Sequence, residues 1–228
     1  MNKRKFAAPG FTLIELAIVM VIVSLLLGGL LSSISSQKEQ QRRNDNQSLL
    51  KLVSDALIGF ATVNGRLPCP DTSGNGLENT PCSAAAGNIN NGILPYATLG
   101  VISTDPWGNP LRYTVNGAFS AAPPNPVFTL STQGTGNGIL RIFNTAPGNC
   151  NTPGNVAENI PAVVWTGAKR DYTLLAPPST DEMENRDNDN CFVSRDYNTV
   201  TGREFDDQLI WLSSNILFNR MVSAGVLP

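Results

Sequence analysis

The sequence predicts an α+β protein: one long N-terminal α-helix, part apolar and part amphipathic, packed on an antiparallel β-sheet. Three observations point there. From Leu16 to Gln37 no residue is charged, and most are Leu, Ile, Val or Met. Ser32 to Gln47 is mostly polar and contains neither Pro nor Gly, so nothing ends the helix there. Beyond Asn64 the pattern changes to short β-branched and aromatic runs bounded by Gly, Pro and Asn. With about 50 residues in the helix, the rest of the 228 suffices for one domain of ordinary size.

The first element is a basic leader carrying Lys3, Arg4 and Lys5, followed by Pro9-Gly10-Phe11-Thr12-Leu13-Ile14-Glu15-Leu16-Ala17-Ile18. A span of about 20 apolar residues crosses a bilayer as a helix, and leading Lys and Arg keep the chain start cytoplasmic. Glu15 is the odd residue: a carboxylate at the front of such a run costs ~2.5–3.5 kcal/mol on insertion scales. An intramembrane acid is a functional candidate by default, and neither a secretory signal nor a plain anchor has a use for it. Gly10-Phe11-Thr12-Leu13-Ile14-Glu15 resembles the processing site of type IV prepilins and of the pseudopilins of type II secretion. The resemblance covers residues 1 to about 40. It implies cleavage between Gly10 and Phe11 by a membrane prepilin peptidase and methylation of the Phe11 amine. It also implies that Glu15 meets a neighbouring subunit's terminal amine during assembly.

The second half of the helix is amphipathic. Leu50, Val53, Leu57 and Phe60 recur at helical spacing, with Leu49, Leu52, Ala56 and Ala61 widening the stripe, while Lys51, Ser54 and Asp55 fall opposite. A helix from Phe11 to about Asn64 would run roughly 80 Å at 1.5 Å per residue. Asn64-Gly65 supplies its C-terminal cap, and Pro68 and Pro70 forbid continuation. The expected organisation is a cleaved leader over 1–10, a transmembrane half over 11–31, an amphipathic half over 32–64 and a globular domain over 65–228.

Leu67 to Gly92 reads as a long loop rich in Pro, Gly, Asn and Ser, of the kind that is functional or tied down. Asp105-Pro106-Trp107-Gly108-Asn109-Pro110 reads as a turn pinned to the core by Trp107, and it resembles the turn before the first strand of pseudopilins. Strands are expected at Leu111–Val115, Val127–Ser131, Ile139–Phe143, Ala162–Thr166 and Gln208–Leu212. A terminal helix follows, capped at Ser213 or Ser214, with Ile216, Leu217 and Met221 on its apolar face and Gly225 ending it.

Histidine is absent, which removes the usual general base, the commonest transition-metal ligand and every Ser-His or Cys-His nucleophile pair. No Gly-x-Ser-x-Gly, P-loop or CxxC occurs either, so the expectation is a non-enzyme. The formal charge is −2, and loss of residues 1–10 removes three cations and no acid, leaving −5; no nucleic-acid footprint is expected. Four cysteines fit disulfides in an oxidising compartment. They permit three pairings, of which the sequence-local one, Cys69 with Cys82 and Cys150 with Cys191, is favoured. The three tryptophans, Trp107, Trp165 and Trp211, read as core anchors.

Three acidic stretches are calcium candidates, because hard cations take Asp, Asn, Glu and carbonyl oxygens: Asp71 to Glu78, Asp181 to Asn190, and Asp206-Asp207. Some pseudopilins bind calcium in a loop after the sheet, which singles out Asp181, Asp187 and Asp189. No other cofactor is expected. The resemblance implies a pilin-like fold and a structural role, as a subunit, minor rather than major, of a type II secretion pseudopilus or a type IV pilus. Its partners would be other pilin or pseudopilin subunits, the prepilin peptidase and an inner-membrane assembly platform. The protein would cross the bacterial inner membrane once with its globular part periplasmic, then enter the filament. The alternative is a pilus-tip binding module for adhesion or DNA uptake.

Overall fold

A computed structural model describes residues 10–83, 87–120, 129, 140–170 and 179–227, with the side chains of 27–34 outside the description. The leader before Gly10 and, apart from Thr129, the expected strand at 127–131 therefore lie outside the described residues. The chain divides into two units, Met1–Arg42 and Arg43–Pro228.

Helix α1 is continuous over Leu13–Asn64, 52 residues. In the first unit its side chains from Leu13 to Leu26 are exposed, Leu13 at 88% and Leu25 at 73%. Among the described residues no helix is long and apolar enough to cross a membrane; the expected span over 11–31 includes residues 27–31, whose side chains are not described.

In the second unit α1 turns one stripe inward: Leu50, Val53, Leu57 and Ala61 are buried in the main core. Leu52 is not part of it, being 54% exposed; a helix stripe wide enough to include it would point past the sheet. Phe60 is half-buried and carries the Arg66 guanidinium 5.4 Å from its ring centre. Gly65 takes φ 70° and donates its N–H to Ala61 at 2.8 Å, closing the helix at the expected cap.

Among the described residues seven strands follow: β1 Ile89–Ile93, β2 Arg112–Asn116, β3 Leu140–Phe143, β4 Ala157–Ile160, β5 Ala162–Thr166, β6 Cys191–Val193 and β7 Gln208–Trp211. They build two sheets, one in the order β1-β2-β5-β7 and antiparallel throughout, the other in the order β4-β3-β6. The larger sheet is the antiparallel sheet expected under α1; the second sheet is mixed, because β3 and β6 pair in parallel.

Strand alternation explains the layering. Tyr113, Val115, Ala162 and Val164 face α1, whereas Val163 and Trp165 face Leu140, Ile142, Ile160 and Phe192 of the smaller sheet. β5 is thus covered on both faces, which is why all five of its residues are buried and why it reads as an unbroken apolar run. The short helices are α2 Tyr96–Leu99, α3 Gly117–Ser120 and α4 Thr180–Glu184. The last, α5, spans Ser214–Ser223 and buries Leu217, Phe218 and Met221. Ile216 is 54% exposed, because Phe218 holds the inward position one helical step from Leu217.

The 66–82 loop is a knot of polar bonds. The Arg66 fork meets both oxygens of Glu78 at 2.8 Å. The buried Asp71 carboxylate accepts the N–H groups of Ser73, Gly74 and Gly76 at 2.8, 2.7 and 2.6 Å. Both acids of this calcium candidate are therefore spent inside the fold. Burial pushes Asp71 up, but these hydrogen bonds outweigh it and hold the carboxyl below its usual range. Gly76 must be glycine: at φ 82° a Cβ would stand 2.5 Å from the Tyr96 ring. Asp71→Asn keeps the shape but sets an amide donor against the Gly76 N–H or against the Ser73 and Gly74 N–H groups, and is expected to cost about 2–4 kcal/mol in urea unfolding. An unchanged midpoint would show that the loop does not depend on this carboxylate.

The Asp105–Pro110 turn is held by a different residue from the one expected. Asp105 is buried and accepts from the N–H groups of Trp107 and Asn109 at 2.9 and 2.8 Å, and from Thr166 Oγ1. Trp107 is only half-buried; the anchor is the carboxylate, since an Asx turn supplies the bend from within.

Candidate functional site

The N-terminal segment builds its geometry from four residues. Gly10 and Phe11 precede the helix, and both are exposed, Phe11 at 87%. A peptide bond outside a helix and clear of packing is the form a peptidase can admit, and nothing lies within 4 Å of where a Gly10 Cβ would stand. Thr12 is the N-cap: its Oγ1 accepts the Glu15 N–H at 3.3 Å. The Glu15 carboxylate accepts the Thr12 N–H at 2.9 Å and the Thr12 hydroxyl at 2.8 Å. Thr12-Leu13-Ile14-Glu15 is thus a capping box, which explains why α1 begins at Leu13 and not at Phe11. Sequence reasoning singled out Glu15 and missed Thr12, although the Thr-x-x-Glu spacing was there to be read.

The structure joins Cys69 to Cys82 and Cys150 to Cys191. The second disulfide ties the 144–151 connection to the start of β6.

The calcium candidates do not converge as a set. Asp181 Oδ1 accepts the Ala146 N–H at 2.8 Å, and its Oδ2 pairs with Arg195 Nε at 3.0 Å. Asp187 accepts the Asp189 N–H at 3.0 Å, and Asp189 accepts the Cys191 N–H at 2.7 Å. What comes together with Asp189 is Glu184, beside the Cys150–Cys191 bridge. Burial, then the charges of Asp189, Asp187 and Asp181, push Glu184 up to about 7.

A second cluster unites two of the acidic stretches. Glu182 from α4 and the pair Asp206-Asp207 before β7 are all buried, with carboxylate oxygens within 4.8 Å of one another. Glu182 accepts the Asp206 N–H at 3.0 Å, and Asp206 accepts the Arg170 N–H at 3.0 Å. Asp207 accepts from Asn185 Nδ2 at 2.9 Å and faces Arg186 at 3.4 Å. Burial is the main reason that Asp206 and Asp207 both rise to about 7; Glu182 adds to it, and nearby arginines oppose it. These residues hold the 179–207 region together by charge and hydrogen bonding.

A long N-terminal helix thus opens on an exposed Gly-Phe step and a glutamate and leads into an antiparallel sheet. Residues 7–31 match the family model described as the prokaryotic N-terminal methylation motif, the prepilin-type cleavage and methylation segment of pilins and pseudopilins. Over these residues the chain is similar to type IV pilins and pseudopilins. No curated protein and no solved structure matches it.

Proposed function

We propose that the processed protein is a minor structural subunit of a type II secretion pseudopilus or a type IV pilus. The observation that carries this reading is the methylation motif on a helix whose apolar side chains from Leu13 to Leu26 stand exposed. Apolar surface of this extent needs lipid or other apolar helices around it, and a filament core built from such helices supplies them. The basic leader orients the segment in the inner membrane with the globular part outside the cytoplasm, where Cys69–Cys82 and Cys150–Cys191 persist oxidised. Prepilin peptidase, an inner-membrane assembly platform and sister subunits are the partners.

Processing is the direct test. N-terminal sequencing of the mature protein is expected to begin at Phe11 carrying a methylated amine. Gly10→Glu is expected to leave the leader attached and the protein stranded in the membrane. A mature start at any other residue would overturn the assignment.

Calcium is the second part of this proposal, placed at Glu184, Asp187 and Asp189 with loop carbonyls, and without Asp181, which Arg195 holds. The charges of Asp187 and Asp189 raise the cost of ionising Glu184, and acids gathered in this way favour a divalent cation among them. Calcium is then expected to raise the melting temperature by linkage, and Asp187→Ala and Asp189→Ala to abolish that rise. A chelator that leaves the melting temperature unchanged removes calcium from the reading.

A further inference from the structure

The face of the larger sheet away from α1 is only partly covered by the smaller sheet. Over β1 and β2 a cavity of about 290 Å³ remains, floored by Asn91, Arg112, Thr114 and Trp165 and walled by Arg186 and Asn188 from the α4–β6 connection. Register explains the floor: Arg112 pairs with Trp165, and Thr114 with Asn91, so each pair lies on one face of the sheet.

The walls are preorganised. Asn91 Nδ2 donates to the Asn188 carbonyl at 3.0 Å, and Asn91 Oδ1 accepts from Thr114 Oγ1 at 2.6 Å. Asn188 sits at φ 63°, which presents that carbonyl to β1. Arg186 is braced by Asp207 behind it and stands 5.4 Å from the Trp165 ring centre.

The charge of the cavity runs against that of the protein. Among the described residues the lining carries two guanidinium groups and no acid, in a chain whose formal charge is −2. Among the described residues no hydrogen bond or ion pair engages the Arg112 guanidinium, whereas Asn91, Thr114 and Arg186 each hold a side-chain partner. A planar guanidinium fork facing a cavity matches a carboxylate or a phosphate, to which it can donate two parallel N–H bonds. The volume lies at the low end of ligand pockets and suits a small molecule better than a polymer segment.

We propose that this cavity is a binding site for a small oxyanion-bearing ligand, carboxylate or phosphate, held by Arg112 and Arg186 over the Trp165 ring. The proposal stands independently of the filament reading, since it rests on none of the residues before Arg43.

The test titrates the full chain in detergent with citrate and, separately, inorganic phosphate at constant ionic strength, read by calorimetry and by tryptophan fluorescence. Saturable one-to-one binding of either anion is expected, and which one binds identifies the carboxylate or the phosphate source. Arg112→Ala is expected to weaken binding by about tenfold or more, and Arg112→Lys by less, because a point charge replaces the fork. Arg112→Gln, which keeps the stem on the sheet, should match the Ala variant. Lys51→Ala on the exposed side of α1 should bind as the parent does. Absence of saturation by both anions up to about 10 mM, or parental affinity in Arg112→Ala and Arg112→Gln, overturns the proposal.

Discussion

Replacing Glu15 with Ala is expected to leave membrane insertion and cleavage after Gly10 intact while nearly abolishing entry into filaments. In the isolated subunit the carboxylate is satisfied locally, by the N–H and hydroxyl of Thr12. In the filament reading it meets the terminal amine of an incoming Phe11, which stays cationic after methylation, so two charges leave water together. Removing one partner of such a pair typically costs ~3–5 kcal/mol, enough to reduce subunit addition by roughly two to three and a half orders of magnitude at about 1.4 kcal/mol per decade. Two further substitutions separate charge from helix capping. Glu15→Gln keeps the capping-box partners but has no charge, and is expected to fail in assembly as Ala does. Glu15→Asp keeps the charge with one methylene less reach, and is expected to be intermediate. Recovery of the Ala variant in sheared filaments at parental yield would refute the role.

The second large effect is on stability against pH. Asp206, Asp207 and Glu184 are each pushed up to about 7, chiefly by burial. A carboxyl raised in the folded state keeps a proton that the unfolded chain releases near pH 4. Its contribution is full below that value and is lost as pH climbs toward 7. Asp71 and Glu78 run the other way: their folded values are depressed by hydrogen bonds and, for Glu78, by Arg66. Their contribution is present above about pH 4.5 and is lost on further acidification.

Stability should therefore peak between about pH 4.5 and 6. Between pH 5.5 and 8 it should fall by about 1–3 kcal/mol, after allowance for the exposure of Glu184 and for mutual repulsion within the 206–207 pair. At about 2–4 °C per kcal/mol this is a melting-temperature loss that scanning calorimetry resolves. Asp207→Asn should remove much of the slope, because an amide has no proton to lose. A melting temperature flat over that interval, or an undiminished slope in the variant, counts against a cluster strained by its own charge.

Legibility followed how local each feature is. The capping box, the Gly-Phe step and the end of α1 at Asn64 depend on residues within four positions, and all were readable. β5 was legible to the residue because Ala162-Val163-Val164-Trp165-Thr166 is β-branched or aromatic almost throughout; β2, β3 and β7 were legible within one residue at each end. β1 was missed, because Ile89-Asn90-Asn91-Gly92-Ile93 has a turn composition and becomes a strand only by pairing with β2. β6 is three residues long, and its parallel partner β3 lies about fifty positions away, beyond any local pattern.

The buried carboxylate cluster shows the same limit. Both acidic stretches that supply it were noticed, but composition alone reads Asp and Glu as solvated or cation-binding. That Glu182 and Asp206-Asp207 point inward toward each other is a property of the fold. The arginine-lined cavity has no sequence signal either, since its walls come from strands β1, β2 and β5 and from a connection some twenty residues beyond β5.

The short bridge between Asp71 and Ile93 has a wider significance. Each donates its N–H to the other's carbonyl at 2.9 Å, along the outer edge of β1, and Gly92 makes room because a Cβ there would stand 2.7 Å from the Asp71 carbonyl. An exposed strand edge is a template on which foreign chains add. The disulfide-closed loop occupies the Ile93 end of this template with the protein's own backbone, so the β1 edge is capped from within the chain.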